Sequence, residues 1–345
     1  MTARPGALRL PYLHCPFPPE IHPETDQAEG EMIDWLTGHG LLTDPRRRTA
    51  LRRHRFAEVV GREYPHAEPD GLRMVTKVYS WVFILDDTFC DSGLMGEDVA
   101  TLAAFHVWMR EIMETGGLEG SESLGRTVTA GLGDADRLLC HRLAEAGNDL
   151  FQHVHARSSP TQYMRFVTEM EYYFFGTLWE AGHRVHTTMP SPQEYAIGRR
   201  MTSATPLALA LQDIAAGYEV PSHEYHHPAV RELRRTANNV ISWCNDVFSY
   251  CKEQPSGPVP LNLPAALARH HGLDEQAAIE EAARLHNREV ETYLAAEARV
   301  AAWAGPQLSR FLPTMRAMQR GFYDWGLTTP RYSVDHHFSR GPEER

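Results

Sequence analysis

The feature that most constrains this chain is a set of three oxygen-bearing side chains at four-residue spacing. Asn245, Ser249 and Glu253, called here the Asn/Ser/Glu motif, have apolar neighbours such as Val247 and Phe248. On an α-helix this spacing places all three on one face, over a length of about 12 Å. Amide, hydroxyl and carboxylate oxygens suit a hard cation such as Mg²⁺ rather than zinc or copper. A solvated polar helix face is the alternative, but polar groups among apolar neighbours need partners.

A second acidic stretch follows another apolar segment. Residues 79–85 are mostly apolar and lead into Asp86, Asp87 and Asp91, called here the aspartate motif. A buried helix that ends in three carboxylates is costly unless a cation neutralises them. Magnesium ions that bridge to a diphosphate would satisfy both motifs. Lys252, which adjoins the Asn/Ser/Glu motif, is a suitable phosphate partner.

Together, the two motifs resemble the metal-binding motifs of bacterial-type class I terpene synthases, or terpene cyclases. They occur in that family's order and at a typical distance, which a single short pattern would not show. Arg199 lies 46 positions before Asn245, where the family carries its diphosphate-sensing arginine. Arg331 and Tyr332 resemble the family's closing Arg-Tyr pair. The resemblance spans about residues 25 to 335. It implies a Mg²⁺-dependent lyase of isoprenoid secondary metabolism.

The resemblance also implies what the motif residues do. Three Mg²⁺ ions are expected between the two motifs, with Asp86 as the main carboxylate ligand on one side. For Asp87 and Asp91, pairing of one of them with an arginine is the alternative to metal binding. Asn245, Ser249 and Glu253 are expected to hold another ion. Stabilisation of the leaving diphosphate is expected from four residues: Arg199, Lys252, Arg331 and Tyr332.

Pro206 interrupts a helical pattern and predicts a break that starts near Thr202. Proline lacks an N–H and clashes with the carbonyl four residues back. In the family such a break aims carbonyl oxygens at the developing cation, and the resemblance makes Arg199 the sensor, Thr202 the linker and Ser203 the effector. The family usually has glycine where Ser203 stands. A merely kinked core helix is the alternative interpretation.

Two aromatic residues are candidates for the lining of a cavity that holds a carbocation. Phe83 lies one turn before the aspartate motif, and Trp325 lies shortly before the closing pair. An aromatic face stabilises a cation without offering a strong nucleophile. Plain core packing is the alternative for both residues.

The remaining pattern predicts an all-α protein. Helix starts are predicted where a capping residue precedes proline: Asp44-Pro45, Ser159-Pro160 and Ser191-Pro192. The first of these helices is expected to run to about Tyr64, and Asp70 is expected to cap the next helix. Neither strand alternation nor an internal repeat is evident. We therefore expect one class I terpenoid synthase-like helical bundle around a central active-site cavity.

The expected domain organisation is simple. Residues 1–24 carry six prolines and are expected to form an irregular N-terminal strap. Residues 25–335 are expected to form the catalytic domain, followed by a flexible tail over residues 336–345.

Composition excludes several other classes of function. The net charge of −11 argues against nucleic acid or an anionic membrane surface as partner. We find neither a signal peptide nor an apolar run of the roughly 20 residues needed to cross a bilayer. Five cysteines without a C-x-x-C pair favour a reduced, cytoplasmic protein. The 19 histidines show no zinc-site spacing and are read as surface residues. A homodimer is left open.

The expected reaction is ionisation of a linear prenyl diphosphate, followed by cyclisation of the carbocation and release of diphosphate. Farnesyl diphosphate, which would yield a sesquiterpene, is favoured. A diterpene synthase that uses geranylgeranyl diphosphate is the main alternative. A chain-elongating prenyltransferase is disfavoured because it needs two aspartate-rich motifs. A non-catalytic helical binding protein has no support in these residues.

Overall fold

The computed structural model describes residues 8–87, 98–253 and 261–339. Across these ranges the expected all-α fold is confirmed, with sixteen helices in succession. The helices are α1 (Thr25–Gly38), α2 (Pro45–His54), α3 (Phe56–Glu63), α4 (Pro69–Leu85), α5 (Val99–Thr115), α6 (Glu122–Val128), α7 (Asp134–Arg157), α8 (Pro160–Val185), α9 (Pro192–Thr202), α10 (Thr205–Ala215), α11 (Ser222–Tyr225), α12 (Pro228–Glu253), α13 (Leu263–His271), α14 (Glu275–Ala301), α15 (Pro306–Thr328) and α16 (Val334–His337).

The three predicted helix starts are confirmed by their caps. Ser159 Oγ accepts a hydrogen bond from Gln162 N (3.1 Å), and Ser159 N donates to Gln162 Oε1 (3.1 Å). Asp44 and Ser191 cap α2 and α9 with side chains that each accept from a backbone N–H. In all three helices a proline follows the cap, where its missing N–H would have had no helical partner.

The helix expected over residues 44–64 is divided at Arg55, so that prediction is wrong. Arg55 has a left-handed φ of 52° and separates α2 from α3. The arginine-rich α2 has no buried residue, whereas α3 is almost entirely buried and packs on α15. One straight helix could not both expose residues 45–54 to water and bury residues 56–63 against α15. The turn also exposes the His54 carbonyl, which accepts from Trp325 Nε1 (2.9 Å) and Thr329 Oγ1 (3.0 Å).

The prediction that Asp70 caps α4 is also wrong. The N-cap residue is Glu68, and Asp70 lies in the first helical turn. Pro69 sets this start because its fixed φ already suits the first helical position. Arg157 then holds both acidic side chains, since its two Nη atoms donate to Asp70 Oδ2 (2.7 Å) and Glu68 Oε2 (2.7 Å).

The predicted break around Pro206 is confirmed. Between α9 and α10, Ala204 has a left-handed φ of 55°, whereas Ser203 keeps a right-handed φ of −71°. Ser203 Oγ accepts from Thr205 N (3.2 Å) and donates to Asn238 Oδ1 (2.7 Å) on α12. The hydroxyl of Ser203 therefore secures the turn against the helix that carries the Asn/Ser/Glu motif.

The N-terminal and C-terminal ends of the described chain meet. β1 (Leu8–Arg9) and β2 (Phe338–Ser339) pair in parallel, with Leu8 opposite Phe338. Residues 336–339, assigned to the tail from the sequence, thus belong to α16 and β2. Residues 340–345 lie outside the described part, and the division into strap, catalytic domain and tail stays a prediction.

The segment before α1 runs over α14. His14 N donates to Asn287 Oδ1 (2.7 Å), and Leu13 and Phe17 are buried. Beneath this layer, α4 packs against α1, α3, α7 and α10, while α12 packs against α9, α13, α14 and α15. The two motif-bearing helices are therefore inner helices of the bundle. Within the described ranges, none of the helices has the length and apolar character needed to cross a membrane.

Candidate active site

The Asn/Ser/Glu motif lies on the last turns of α12, whose surroundings are apolar. Val247 and Phe248 have no exposed surface, and Ser249 is 1% exposed. Asn245 is only partly buried. Ser249 Oγ has no hydrogen-bond partner among the described residues, although burial of an unpaired hydroxyl is costly. Glu253 ends α12, and its side chain lies outside the described part.

Arg199 on α9 contacts the motif directly. Its Nη2 donates to Asn245 Oδ1 (2.7 Å), and its Nε donates to Asp246 Oδ1 (2.9 Å). Its Nη1 also donates to Thr202 Oγ1 (3.3 Å). Burial lowers the pKa of Arg199, but the charges of Asp246, Tyr195 and Glu180 and the hydrogen bond to Asp246 together outweigh burial, so the pKa lies well above its usual range. The guanidinium is thus held as a cation beside the amide oxygen of Asn245.

Asp246 is the residue that fixes Arg199, and the sequence analysis assigned it no role. Its Oδ2 accepts from Tyr195 OH (2.8 Å) and from Leu263 N (3.1 Å), the first residue of α13. Burial raises the pKa of Asp246, and Arg199 and these donors oppose the shift. The signal was present in the sequence, because a buried carboxylate inside an apolar helix requires a cationic partner.

Arg331 joins residues 329–332, called here the closing segment, to the aspartate motif. Its two Nη atoms donate to both carboxylate oxygens of Asp87, at 2.6 and 2.8 Å, while Lys252 Nζ lies 3.7 Å from Asp87 Oδ1. Burial raises the pKa of Asp87, but the hydrogen bonds and charge of Arg331 outweigh it and hold the pKa below its ordinary value. The pairing with an arginine that the sequence left open is therefore present at Asp87.

Tyr332, the next residue, binds the other motif. Its hydroxyl accepts from Asn245 Nδ2 (2.7 Å), so the amide of Asn245 lies between Tyr332 and Arg199. Tyr332 is 3% exposed, and its ring packs on Trp325. Arg331 thus contacts Asp87 at the end of α4, and the adjacent Tyr332 contacts Asn245 on α12.

The rest of the aspartate motif is described only in part. Asp86 Oδ1 accepts from Tyr173 OH (3.2 Å) on α8, a contact that the sequence analysis did not anticipate. Tyr173 is almost fully buried within the aromatic stripe of α8. Asp91 lies outside the described residues. Only Asp86 and Asp87 can therefore be placed, and both lie at the C-terminal end of α4.

The two aromatic candidates have different surroundings. Phe83 is partly exposed, and the Arg331 guanidinium carbon lies 5.1 Å from its ring centre. Trp325 has no exposed surface, packs against Phe56 and Tyr332, and uses its Nε1 to hold the break between α2 and α3. In this structure Trp325 is part of the core. The lining role of both residues stays a prediction.

The donor chemistry at the two motifs fits a hard divalent cation. Across the described ranges no group of three or more His, Cys, Asp or Glu side chains is gathered in a metal-site arrangement. The oxygens at hand are of mixed type, from the carboxylates of Asp86 and Asp87, the amide of Asn245 and the unpaired hydroxyl of Ser249. A cation that binds oxygen would satisfy this buried hydroxyl, which has no hydrogen-bond partner within the described ranges.

Cationic side chains converge on the same place. Arg199, Lys252 and Arg331 each contact a residue of one motif or its neighbour Asp246. Such a cluster beside two acidic motifs can bind an anion of high charge together with cations.

Comparison with known proteins identifies the family. The family model described as "Terpene synthase family 2, C-terminal metal binding" matches residues 77–292, which include both motifs. The 4-epi-cubebol synthase of Streptosporangium roseum, named as cyclising (2E,6E)-farnesyl diphosphate, is 29% identical over 98% of this chain and 96% of its own. The (+)-T-muurolol synthase of Roseiflexus castenholzii, named as cyclising the same substrate, is 29% identical over 93% of both chains.

Solved structures agree with this result. The crystal structure of the SVS_A2 protein from ancestral sequence reconstruction has a TM-score of 0.79 and 28% identity, over 92% of this chain and 90% of that one. Wild-type cucumene synthase, with a TM-score of 0.73 and 24% identity over 91% and 99% of the two chains, shares the fold. On these matches, and with both metal motifs inside the matched region, the chain belongs to terpene synthase family 2, that is, to the class I terpene synthases of bacterial type.

Proposed function

We propose that this protein is a Mg²⁺-dependent sesquiterpene cyclase that ionises farnesyl diphosphate, cyclises the resulting carbocation and releases diphosphate. The observation that carries the proposal is the contact of the closing pair with both motifs. Arg331 binds Asp87 on α4, and Tyr332 binds Asn245 on α12. Ligand binding between these helices would act on both contacts together.

The metal is a divalent cation by family membership, and its identity as Mg²⁺, with three ions, is part of the proposal. Asp86, with Asp87 or Asp91, would hold ions at the end of α4. A further ion would be held by the Asn/Ser/Glu motif: Asn245, Ser249 and Glu253. The bound cations would stabilise the negative charge that develops on the leaving diphosphate.

Four side chains of the protein would bind the diphosphate itself: Arg199, Lys252, Arg331 and Tyr332. In this structure Asp87 neutralises the charge of Arg331, and Asp246 neutralises that of Arg199. The two pairs differ in exposure, because the Asp87 side chain is 41% exposed and that of Asp246 is 2% exposed. Arg331 can therefore exchange Asp87 for diphosphate, while Arg199 keeps Asp246 and presents its Nη2.

The hydrocarbon part of the substrate would lie beside the aromatic face of Phe83, with Trp325 behind it. The turn between α9 and α10 would supply Thr202 and Ser203 near the departing diphosphate, with Thr202 already bound to Arg199 at 3.3 Å. Aromatic faces stabilise positive charge without trapping it, and water must be kept away until cyclisation ends. Docking of the closing segment over the site would exclude water.

A fifteen-carbon substrate is favoured over a twenty-carbon one by the named activities of the relatives. The 4-epi-cubebol and (+)-T-muurolol synthases are both named as cyclising farnesyl diphosphate. Each is similar to this chain over nearly its whole length, and the similarity is not confined to the two metal motifs.

The test is incubation of the purified protein and Mg²⁺ with geranyl, farnesyl or geranylgeranyl diphosphate, each supplied alone, followed by gas chromatography–mass spectrometry. We expect a cyclic C15 product with farnesyl diphosphate and stoichiometric diphosphate release. A requirement for isopentenyl diphosphate would indicate chain elongation instead. A cyclic C20 product without a C15 product would refute the sesquiterpene assignment. Turnover undiminished by excess EDTA would contradict the metal requirement.

A further inference from the structure

A buried acid, Glu63 at the end of α3, contacts Tyr79 of α4 away from the metal motifs. Tyr79 is on the same face of α4 as Phe83 and Asp86, at steps of four and three residues. Asp86 follows Tyr79 by seven positions, which corresponds to about 10 Å along the helix axis. Tyr79 is partly exposed although Val78 and Ser80 on either side are buried. This face therefore runs from the expected diphosphate site towards the hydrocarbon end of the substrate.

The Tyr79 hydroxyl is hydrogen-bonded to Glu63 Oε2, at the end of α3. Glu63 is 2% exposed, and within the described residues its carboxyl group pairs with no cation. Its neighbour Tyr64 donates to the Ala208 carbonyl on α10 (2.6 Å) and lies 3.5 Å from the Tyr79 hydroxyl. Tyr79 thus lies between the Glu63 carboxyl group and a second phenol, Tyr64, and no cation in the described part of the chain neutralises this carboxyl group.

This environment keeps the carboxyl group protonated. Burial raises the pKa of Glu63 to about 8, and the hydrogen bond from Tyr79 only partly offsets the shift. An uncharged acid at neutral pH can release a proton to a reaction partner. With Glu63 protonated, the hydrogen bond to Tyr79 can be donated by the carboxyl O–H or by the phenol O–H, because both groups carry a proton and both oxygens can accept.

Attachment of α3 to α10 does not require this carboxyl group. Gln212 Nε2 donates to the backbone carbonyl of Glu63 (3.1 Å), and Tyr64 provides the second link to α10. An uncharged glutamine would suffice for packing at position 63. The carboxyl group therefore calls for a chemical explanation.

We infer that Glu63 and Tyr79 form a proton-donating pair that reactivates a neutral cyclic intermediate inside the site. The inference rests on the proposed function. The first cyclic cation would lose a proton to the released diphosphate, a base in the same site, and become a neutral polyene. The Tyr79 O–H bond would then break as its proton forms a C–H bond with one alkene carbon. The alkene electron pair makes that bond, and the positive charge appears on the neighbouring carbon.

Glu63 completes the transfer. Its carboxyl proton passes to the Tyr79 oxygen, so the tyrosine is restored and a carboxylate remains. That carboxylate stabilises the new cation within the bundle. Loss of a C–H proton from the final cation, back through Tyr79, restores the acid and yields the alkene product. Atoms and charge balance without any further reagent.

The test measures solvent hydrogen in the product. The enzyme is first equilibrated in D₂O so that the pair carries deuterium. A single turnover is then run with enzyme in excess over farnesyl diphosphate and Mg²⁺ present. Mass spectrometry of the wild-type product should show one deuterium. Tyr79→Phe and Glu63→Gln should instead release a different, less cyclised hydrocarbon that carries none.

Tyr64→Phe is the matched control, because it removes the other phenol of the same cluster and leaves the donating pair intact. It should give the wild-type product with its deuterium. A wild-type product without deuterium would overturn the inference, as would deuterium retained in both the Tyr79→Phe and Glu63→Gln products. The wild-type and Tyr79→Phe measurements decide the matter if Glu63→Gln does not fold. Absence of any diphosphate release would instead refute the proposed function.

Discussion

Arg331 and Asp87 form a two-pronged ion pair across 244 positions of the chain, with Nη1–Oδ2 and Nη2–Oδ1 distances of 2.8 and 2.6 Å. The Arg331 side chain is 7% exposed, whereas that of Asp87 is 41% exposed. The guanidinium is therefore held in place while its carboxylate partner remains accessible. This pair holds the closing segment on the aspartate motif and marks where the diphosphate would enter.

Arg331→Lys should lower turnover by about tenfold or more, and Arg331→Ala by about 10²–10³-fold, since donors lost from a preorganised anion site cost this much. Lysine keeps the charge but loses the fork that matches two oxygens. Steady-state kinetics with farnesyl diphosphate measures the effect. Arg316→Lys is the control, because Arg316 also uses two nitrogens, Nε and Nη2, to hold the carboxylate of Glu297 (2.8 Å each), away from both motifs. If turnover fell equally in the two lysine variants, Arg331 would have no special role in catalysis.

Arg199→Ala should reduce turnover by an order of magnitude or more, because it removes the donor to Asn245 and the cation beside the motif. Arg200→Ala should have a smaller effect. Arg200 points about 100° away on α9 and donates to Asn239 instead (3.0 Å). Parallel measurement of kcat for both variants checks the assignment. An inactive Arg200→Ala with an active Arg199→Ala would show the sensor to be the other arginine.

Asp246→Asn should destabilise the protein by roughly 3–5 kcal/mol, the typical result of removing one partner from a buried ion pair. It leaves the Arg199 charge without its counter-ion and weakens the link to Leu263. Urea unfolding gives the free energy. Tyr195→Phe is the milder comparison, because it removes one hydrogen bond and keeps the charge pair. If Asp246→Asn were no less stable than Tyr195→Phe, the charge would contribute little to the fold.

Ser249→Ala should leave the free energy of unfolding nearly unchanged, because Ser249 Oγ has no partner among the described residues. It should raise the Mg²⁺ concentration that gives half-maximal activity by at least about tenfold, as expected when ligation weakens. Ser242→Ala on the same helix provides the contrast. Its hydroxyl donates to Asn238 (2.8 Å), so its loss should lower stability and leave the Mg²⁺ requirement alone. An unchanged Mg²⁺ titration for Ser249→Ala would exclude Ser249 as a ligand.

Glu63 should make the protein less stable as the pH rises. Its pKa is raised from 4.5 to about 8 in the folded state, so the folded protein binds the extra proton between these values. The free energy of unfolding should therefore fall between about pH 5 and pH 8, by on the order of 4 kcal/mol from this group. Glu63→Gln should flatten the profile, because glutamine does not titrate.

Urea unfolding at several pH values measures this dependence. Glu122→Gln is the matched control, since the Glu122 side chain is 71% exposed and its removal should keep the wild-type slope. A Glu63→Gln profile as steep as that of the wild type would mean that other groups control the pH dependence.

Local features were predictable from the chain alone. Four-residue spacing placed Asn245, Ser249 and Glu253 on one helix, and a cap followed by proline located the starts of α2, α8 and α9. The break at Pro206 followed in the same way from a missing N–H. These features depend on backbone geometry within one or two turns, which a few neighbouring residues determine.

Contacts between distant residues were decided only by the tertiary structure. The division at Arg55 arose because α3 is buried against α15 while the arginine-rich α2 stays in water, and the packing of α3 decides where the chain turns between them. The partner of Asp87 turned out to be Arg331, and Asp246 proved to be the counter-ion that fixes Arg199. The arrangement of several packed helices decides which charges pair. Burial makes an unpaired charge costly, so a buried charged group is stable only where the fold places an opposite charge beside it.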